Sequence, residues 1–498
     1  MMRYLLLFLS LFSFHSFAQS SIVAGSNDET TLRDLQLTGR YDENASFTSR
    51  PLWVHQDSLY RTELNQLAGK NQQKKYFNAY PLEWEQRYNT HSYWGRNDGP
   101  MMSVKGYQTL LRGGISANTK FLDLQLIPEL YWTPEASVKT VSLGQSALRF
   151  HVNKFPVGVS LSKENLWWGP GVFNSLMMSN NAPGFEHISL HTRRPLKTWI
   201  GHFEFQLIGG NLESQSTQPF ENQQLRIFSS VYGRDPKARY FNAINLTYSP
   251  RFLKGLSLGL NRMFQRYGGD GMKGGSFMQD YLPVLSSIFK NSAGGLEEDA
   301  RERDQLVNLF MRYAFPKANT EIYGEFGWND HKYNIRDLIL NPDHAAAYLV
   351  GLRKIVPLSN HRRVGIEFEL TQLEPTNSDI ARPAGNWYVH GQIWEGYTNQ
   401  NQIIGGGVTP GDNTANLRIS YSNGLRKQSI SLERYQHDPR FHSVAWTDVA
   451  IAFKHQQPWK EHFLFVAGLD MVKRKGLFWD QGNDALNFQL SFKSYYYW

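Results

Sequence analysis

The chain has 498 residues, no cysteine and a formal net charge of +8, which excludes disulfides and thiolate metal sites. After residue 18 no uncharged apolar run reaches 18 residues, so a membrane-spanning helix is excluded as well. Glycine (41 residues) and aromatic residues (14%) are abundant, as in chains of many strands joined by turns. An exported soluble protein and a membrane β-barrel remain.

The first 18 residues have the pattern of a secretion signal. Arg3 precedes an apolar run over 5–14, and Ser16 and Ala18 place small residues where signal peptidase requires them. We expect cleavage after Ala18. Export makes nucleic acid an implausible partner, and the lysines and arginines are scattered rather than gathered in one stripe.

Residues 19–95 are polar and carry two short helical patterns. The first predicted helix starts at Thr30 or Thr31 and ends at Leu37, and the second spans 57–69. We therefore predict a small α-helical segment in the periplasm.

From about residue 106 to the end, the period of the sequence pattern changes to two. Residues 366–371 (IEFELT) and 321–328 (EIYGEFGW) alternate apolar with polar or charged side chains. Each such strand has one apolar and one charged face. A soluble β-sandwich and a membrane barrel fit this alternation equally well.

The C-terminus favours the barrel. Residues 486–493 alternate in the same way, and the chain ends on three tyrosines and Trp498. A final amphipathic strand with a terminal aromatic residue is typical of substrates of the outer-membrane barrel assembly machinery, which we expect as a partner. At about 45 residues per hairpin, residues 96–498 predict an all-β, transmembrane antiparallel β-barrel of roughly 18 strands.

A barrel of that width encloses a lumen large enough for water or ordered plugs. Segments rich in glycine and charge at 268–275, 292–304 and 403–413 are candidates for outer loops or for plugs that fold inward. The charged lumen face also fits a transport porin, which is the alternative function. The positive net charge favours anionic partners such as acidic polysaccharide and lipopolysaccharide. Outer-membrane lipid is a further expected partner.

The tract over 161–185, LSKENLWWGPGVFNSLMMSNNAPGF, resembles the signature of the capsule assembly protein Wzi family. The blocks at 396–399 (GYTN) and 410–412 (PGD) are similar to a later loop of that family, in the same order and separation. No family motif is recognised in the tract between them. The resemblance implies an outer-membrane β-barrel with a small periplasmic helical domain, acting as a surface lectin that helps to attach capsular polysaccharide.

Six residues are candidates for glycan contact: Trp167, Trp168, Asn180, Asn181, Arg193 and Arg194. Indole faces stack on pyranose rings, asparagine amides bind hydroxyl groups, and arginine binds a uronate or phosphate through forked hydrogen bonds. The tryptophans could equally belong to an interfacial girdle or a packed interior. The arginines could pair with wall carboxylates such as Glu367 or Glu369.

Local signatures of catalysis are missing from the sequence. It contains neither Gly-x-Ser-x-Gly nor His-Glu-x-x-His nor a phosphate-binding glycine loop, and no set of metal ligands stands out. We therefore predict no catalytic residue, no metal and no cofactor. An outer-membrane esterase or lipase is a third hypothesis, supported by the compartment and the fold class alone.

Overall fold

The structure is a computed structural model. It describes residues 19–41, 45–55, 77–91, 94–102, 104–134, 138–152, 155–214, 237–268, 277, 281–285, 303–329, 335–359, 361–375, 384–407 and 409–498. The predicted secretion signal and the predicted helix at 57–69 lie outside these residues, as does most of the segments 268–275 and 292–304.

The described residues are mainly β-strands. The strands are β1 (Gln19–Ile22), β2 (Ser49–Arg50), β3 (Leu52–His55), β4 (Phe77–Asn89), β5 (Gly106–Asn118), β6 (Leu122–Leu126), β7 (Glu129–Thr133), β8 (Val138–Ser142), β9 (Ala147–His151), β10 (Val157–Ser162), β11 (Trp167–Trp168), β12 (His187–Thr192), β13 (Leu196–Lys197), β14 (Gly201–Leu212), β15 (Arg239–Pro250), β16 (Leu256–Tyr267), β17 (Asp304–Phe315), β18 (Thr320–Asn329), β19 (Ala346–Pro357), β20 (Arg362–Gln372), β21 (Thr398–Asn399), β22 (Gln402–Ile403), β23 (Asn413–Asn423), β24 (Arg426–His437), β25 (Trp446–Trp459), β26 (Phe463–Lys475) and β27 (Ala485–Tyr496).

Helices contribute little to the described part of the chain. They are α1 (Asn27–Leu37), α2 (Ile335–Leu340) and short 3-10 turns at Pro283–Leu285, Pro316–Ala318 and Leu477–Trp479. None of these helices has the length and apolar character needed to cross a bilayer.

Eighteen antiparallel wall strands close into a barrel in chain order, which confirms the predicted fold. Three of them are interrupted, so that β6 with β7, β8 with β9, and β12 with β13 each form one wall strand. The ring closes where β27 pairs with β4, from Gln489 opposite Asn89 to Tyr496 opposite Leu82.

The wall strands alternate between lipid and lumen. On β20, Phe368 and Leu370 are exposed, whereas Glu367 and Glu369 are buried on the lumen side. The predicted alternation is therefore confirmed for this strand, and β18 and β27 behave in the same way. A closed barrel with an outward apolar surface is an outer-membrane barrel.

The two ends of the barrel differ in their connections. Tight turns, such as the one between Asn423 and Arg426, lie at the end where β4 begins and β27 ends. Long connections, such as 372–413, lie at the opposite end. Because bacterial barrels have short periplasmic turns and longer outer loops, the short-turn end faces the periplasm and the long-loop end faces outward.

The described residues 19–41 and 45–55 fold inside the lumen and form the N-terminal plug. β1 pairs with β3, and Leu32, Leu35 and Leu37 of α1 are buried. The side chain of Arg33 lies 2.8 Å from the carboxylate of Glu321 on wall strand β18. The plug thus packs directly against the charged face of the wall.

This location corrects the predicted domain organisation. The boundary at residue 96 is wrong because β4 is a wall strand, and the described part of the predicted periplasmic segment is a lumen plug. The helix also begins earlier than predicted. Ser26 is its N-cap and accepts a hydrogen bond from the Glu29 amide at 3.3 Å, so that Thr30 and Thr31 lie within the first turns.

We expect deletion of 495–498 to prevent assembly of the barrel. It removes the pairs of Tyr495 and Tyr496 with β4, the buried Tyr497, and the hydrogen bond from Trp498 Nε1 to the Tyr80 carbonyl at 3.1 Å. Immunoblots of fractionated cells should show the truncated chain degraded or retained in the periplasm. Trp498→Phe, which keeps a terminal aromatic ring, is the control, and normal outer-membrane levels of the truncation would contradict the argument.

Candidate functional site

Residues 163–186, which contain the family-like tract, connect β10 to β12 at the long-loop end and fold into the lumen as the signature loop. Within it, β11 pairs antiparallel with β2 of the N-terminal plug, with Trp167 opposite Arg50 and Trp168 opposite Ser49. The paired tryptophans therefore join the plug to the loop.

Both indole rings are buried by this pairing. Trp167 is 2% exposed and Trp168 is 0% exposed. Trp168 Nε1 donates to Gln206 Oε1 at 2.8 Å, and the Arg50 guanidinium lies 4.5 Å from the centroid of the Trp167 ring. A sugar has no room to stack on either ring, so this structure supports the packed interior of the two open interpretations.

Two plug arginines bind the turn that follows the tryptophans. Arg50 Nη2 donates to the carbonyls of Gly169 at 2.8 Å and Gly171 at 3.3 Å, and Arg33 Nη2 donates to that of Pro170 at 2.7 Å. Burial lowers the pKa of Arg50, and the Glu29 carboxylate, which accepts from its Nη1 at 2.6 Å, opposes that shift. The turn thus supplies carbonyl acceptors to cations that are buried in the lumen.

A wall carboxylate binds the same loop from the other side. Glu369 accepts the backbone N–H groups of Val172, Phe173 and Asn174 at 2.7, 3.1 and 2.7 Å, and the Tyr323 hydroxyl at 2.9 Å. This arrangement gives a buried carboxylate four donors. The backbone amides of the signature loop therefore take the place of water around the buried Glu369 carboxylate.

Gly169 is required by both conformation and space. Its φ is +117°, a left-handed value that side-chain-bearing residues rarely adopt. A Cβ atom at this position would lie 2.2 Å from Glu325 Oε1. Glu325 Oε2 in turn accepts from the Leu176 amide at 2.9 Å, so the close approach is part of the loop's attachment to the wall.

The second family-like block meets the first inside the barrel. It belongs to the capping loop, which we define as residues 384–407 and 409–412. Asn181 Nδ2 donates to the carbonyls of Ile403 at 3.2 Å and Gly407 at 2.9 Å, and the Ser179 amide donates to that of Ile404 at 2.9 Å. The segment 403–413 is thus an inward-folded plug rather than an open outer loop.

An apolar cluster fills the space between the two loops and the wall. Its loop members include Leu176, Met178, Tyr388 and Tyr397, and its wall members come from strands β14 to β19. Tyr388 Oη donates to the Leu176 carbonyl at 2.9 Å, which joins the two loops again. The described residues therefore close this side of the lumen.

The remaining predicted glycan residues are divided between two places. Asn180 and Asn181 lie in the signature loop with the tryptophans, and Asn180 Nδ2 donates to the Ala24 carbonyl of the plug. Arg193 and Arg194 lie near the short-turn end, between β12 and β13. Buried Arg193 is 3.8 Å from the Asp123 carboxylate, and Arg194 is exposed.

The wall carboxylates suggested as partners for these arginines have other ligands. Glu367 accepts from Arg353 at 2.8 Å and from Arg418 at 2.9 Å, and Glu369 binds the signature loop. Pairing of a buried arginine with the wall was expected, but Asp123 supplies the carboxylate.

A cavity of about 410 Å³ remains on the opposite side of the plug, against β4, β5 and β27. Its volume lies in the range of small-molecule sites. Several charges on its wall pair with one another: Glu85 accepts from Arg87 at 2.8 Å and from Lys493 at 2.6 Å. Asn180 lines the cavity as well. Sequence reasoning missed this space because its walls come from both ends of the chain.

One exposed aromatic residue lies on the outward surface of the capping loop. Trp394 is 41% exposed. Its backbone N–H donates to Tyr267 Oη at 3.1 Å, and that hydroxyl donates to Glu395 Oε2 at 2.6 Å. The Trp394 ring thus lies on a loop that these hydrogen bonds hold in place at the long-loop end. An aromatic residue beside the family-like GYTN block was the available sequence indication, and it was missed.

A family model described as "Capsule assembly protein Wzi" matches residues 85–455 of this chain. The chain belongs to this family. The match contains both the signature loop and the capping loop, so these two Wzi family blocks are the segments that fill the lumen beside β14 to β19.

Among the matching solved structures, Wzi shows the same fold. Wzi of Escherichia coli, described as an outer-membrane protein involved in group 1 capsule assembly and as a carbohydrate-binding β-barrel, has a TM-score of 0.66 and 13% identity over 95% of this chain and 99% of that chain. OccK5 (OpdH) of Pseudomonas aeruginosa has a TM-score of 0.45 and 8% identity over 85% of this chain and 98% of that chain. No curated protein sequence matches the chain significantly.

We expect Gly169→Ala to destabilise the closed lumen by about 3 kcal/mol, from the strained φ and the contact with Glu325. The midpoint of the heat-dependent shift in gel migration and the rate of limited proteolysis measure the effect. Gly385→Ala is the matched control because a Cβ atom there meets nothing within 4 Å. Equal midpoints for the two variants would show that the close approach is unimportant.

Proposed function

We propose that this chain binds a surface polysaccharide at its long-loop end and helps to attach or assemble it at the cell surface. The observation that carries the proposal is that the signature loop and the capping loop fold inward together and, with the N-terminal plug, fill much of the lumen. A closed lumen with an outward loop surface suits a binding protein better than a channel. Membership of the Wzi family supports capsular polysaccharide as the polymer.

Within this proposal, Trp394 is the stacking residue for a sugar ring. It has an exposed ring on the outer side of the capping loop, whereas Trp167 and Trp168 hold the plug. One aromatic contact contributes about 0.5–1.5 kcal/mol beyond its buried area. A polymer that engages many copies of the protein multiplies such a contribution.

Asn181 has a supporting role in the proposal. Its amide holds Ile403 and Gly407 of the capping loop, so it positions the outward surface and does not touch the glycan itself. Arg194 lies near the opposite end of the barrel, and a role in binding outer polysaccharide is not proposed for it.

We expect Trp394→Ala to weaken binding of purified capsular polysaccharide by about fivefold, the equivalent of one lost stacking contact. Biolayer interferometry on the detergent-solubilised barrel measures the affinity. Trp199→Ala is the matched control, because Trp199 is 85% exposed in a turn at the short-turn end. Unchanged affinity in Trp394→Ala would contradict the assignment of this residue.

The double variant Trp167→Ala, Trp168→Ala separates packing from recognition. Loss of buried tryptophan rings costs about 3–5 kcal/mol each, so the amount of folded barrel should fall. Surface polysaccharide per folded barrel should stay constant. A drop in that ratio, with normal barrel abundance, would show that these two rings contact the glycan.

Binding without catalysis is part of the proposal. Among the described lumen carboxylates, Glu321 and Glu367 bind arginines and Glu369 binds the signature loop, and the proposed glycan surface presents an indole ring. Turnover of chromogenic acyl or glycosidic substrates above background by the purified barrel would contradict this part.

Single-channel recordings distinguish polysaccharide binding from transport. We expect the wild-type barrel to show no steady openings in planar bilayers. Glu369→Gln removes the charge that holds three amides of the signature loop, and it should produce transient openings. Glu461→Gln, in an exposed turn, is the control. Steady large openings of the wild-type protein would favour the porin.

A further inference from the structure

An aromatic band surrounds much of the outward surface near the long-loop end. Tyr88 on β4, Trp132 on β7 and Tyr348 on β19 are all exposed close to the outer ends of their strands. Amphipathic rings at this level match the interface between lipid tails and head groups. The band marks the height of the outer leaflet's head groups on the barrel.

On β24 and β26, basic residues take the place of the aromatic residues of this band. Arg434, Lys473 and Lys475 occupy the outward positions there, and all three are exposed. On the same outward face, one step nearer to the periplasm, lie the exposed apolar residues Leu432 and Met471. The three bases therefore stand directly above the lipid-facing surface.

The strand register places these bases side by side. Arg434 lies opposite Val449 on β25, and Val449 lies opposite Lys473. Arg434 and Lys473 are thus two strand spacings apart, or about 10 Å. Lys475 follows Lys473 on the same face, about 7 Å further along the strand.

The described part of the chain does not neutralise this cluster. None of the three bases forms an ion pair with a described carboxylate, and Arg434 Nη2 donates only to Gln436 Oε1 at 3.2 Å. Lumen bases behave differently, since Arg353 and Arg418 both bind Glu367. Three unneutralised cations at the head-group level attract an anion that is fixed at that level.

We propose that Arg434, Lys473 and Lys475 bind the phosphate groups of a phosphorylated glycolipid, lipopolysaccharide, in the outer leaflet. Arginine can bind a phosphate through two parallel hydrogen bonds, and the lysines add point charges. The exposed Val449 between them contacts the lipid's apolar part. This surface faces the membrane and is separate from the capping loop, so it does not depend on polysaccharide binding.

The test is native mass spectrometry of the full chain in detergent, titrated with purified lipopolysaccharide or with its dephosphorylated form. The variant Arg434→Gln, Lys473→Gln, Lys475→Gln should bind the intact lipid at least about tenfold more weakly than wild type. The wild-type chain should show a similar loss for the dephosphorylated lipid. Heat-dependent gel migration checks that each variant folds.

The matched control removes the same charge at the short-turn end. Arg362, Arg426 and Lys460 are exposed there, and their triple replacement by glutamine should bind lipopolysaccharide within about twofold of wild type. An equal loss of lipopolysaccharide binding in both triple variants would show that the effect comes from net charge alone, and it would overturn the proposal. Unchanged binding of the dephosphorylated lipid, or displacement of the intact lipid by millimolar inorganic phosphate, would overturn it too.

Discussion

The structure depends on the neutralisation of wall carboxylates inside the barrel. Glu321 on β18 accepts from Arg33 of the plug at 2.8 Å and from Arg312 at 2.6 Å, and Glu369 on β20 binds three amides of the signature loop. A buried carboxylate without such donors is costly, and removal of one partner from a buried ion pair costs about 3–5 kcal/mol. The charged wall therefore needs the plug and the loop as much as they need the wall.

The same principle attaches the capping loop to the far wall. His437, at the end of β24, lies between Asp412 of the capping loop and Asp448 of β25, with ring nitrogens 3.1 Å from each carboxylate. Asp412 also accepts the Thr409 amide at 2.7 Å. Polar contacts thus hold the outward loop at one end, while the apolar cluster around Tyr388 holds its middle.

The barrel could be predicted because its pattern is local. Residues 366–371 alternate between lipid and lumen, and that period of two follows from strand geometry alone. β4 was missed because Pro81 and a register shift between Tyr80 and Glu83 interrupt the period within the strand. The alternation resumes only at Glu83, so residues 77–89 as a whole do not show the period of two.

The site was harder to predict because its partners are distant in sequence. The polar side chains of a helix such as α1 can bind either water or the charged wall of a barrel. The sequence pattern of α1 therefore did not indicate that the helix lies in the lumen. The tryptophan pair was ambiguous for the same reason. Its environment is set by Arg50 and Gln206, and neither spacing nor composition connects them to it.

The order of these contacts links the lumen to the outer surface. Glu369 fixes the signature loop, Asn181 of that loop fixes Gly407 of the capping loop, and the capping loop carries Trp394. Each step is either a hydrogen bond at a buried or half-buried donor or a covalent continuation of the chain. The proposed binding surface thus owes its shape to charges that lie inside the lumen, away from that surface. The charged alternation of the wall strands, which in a porin would line a water-filled pore, here serves to shape an outward-facing loop.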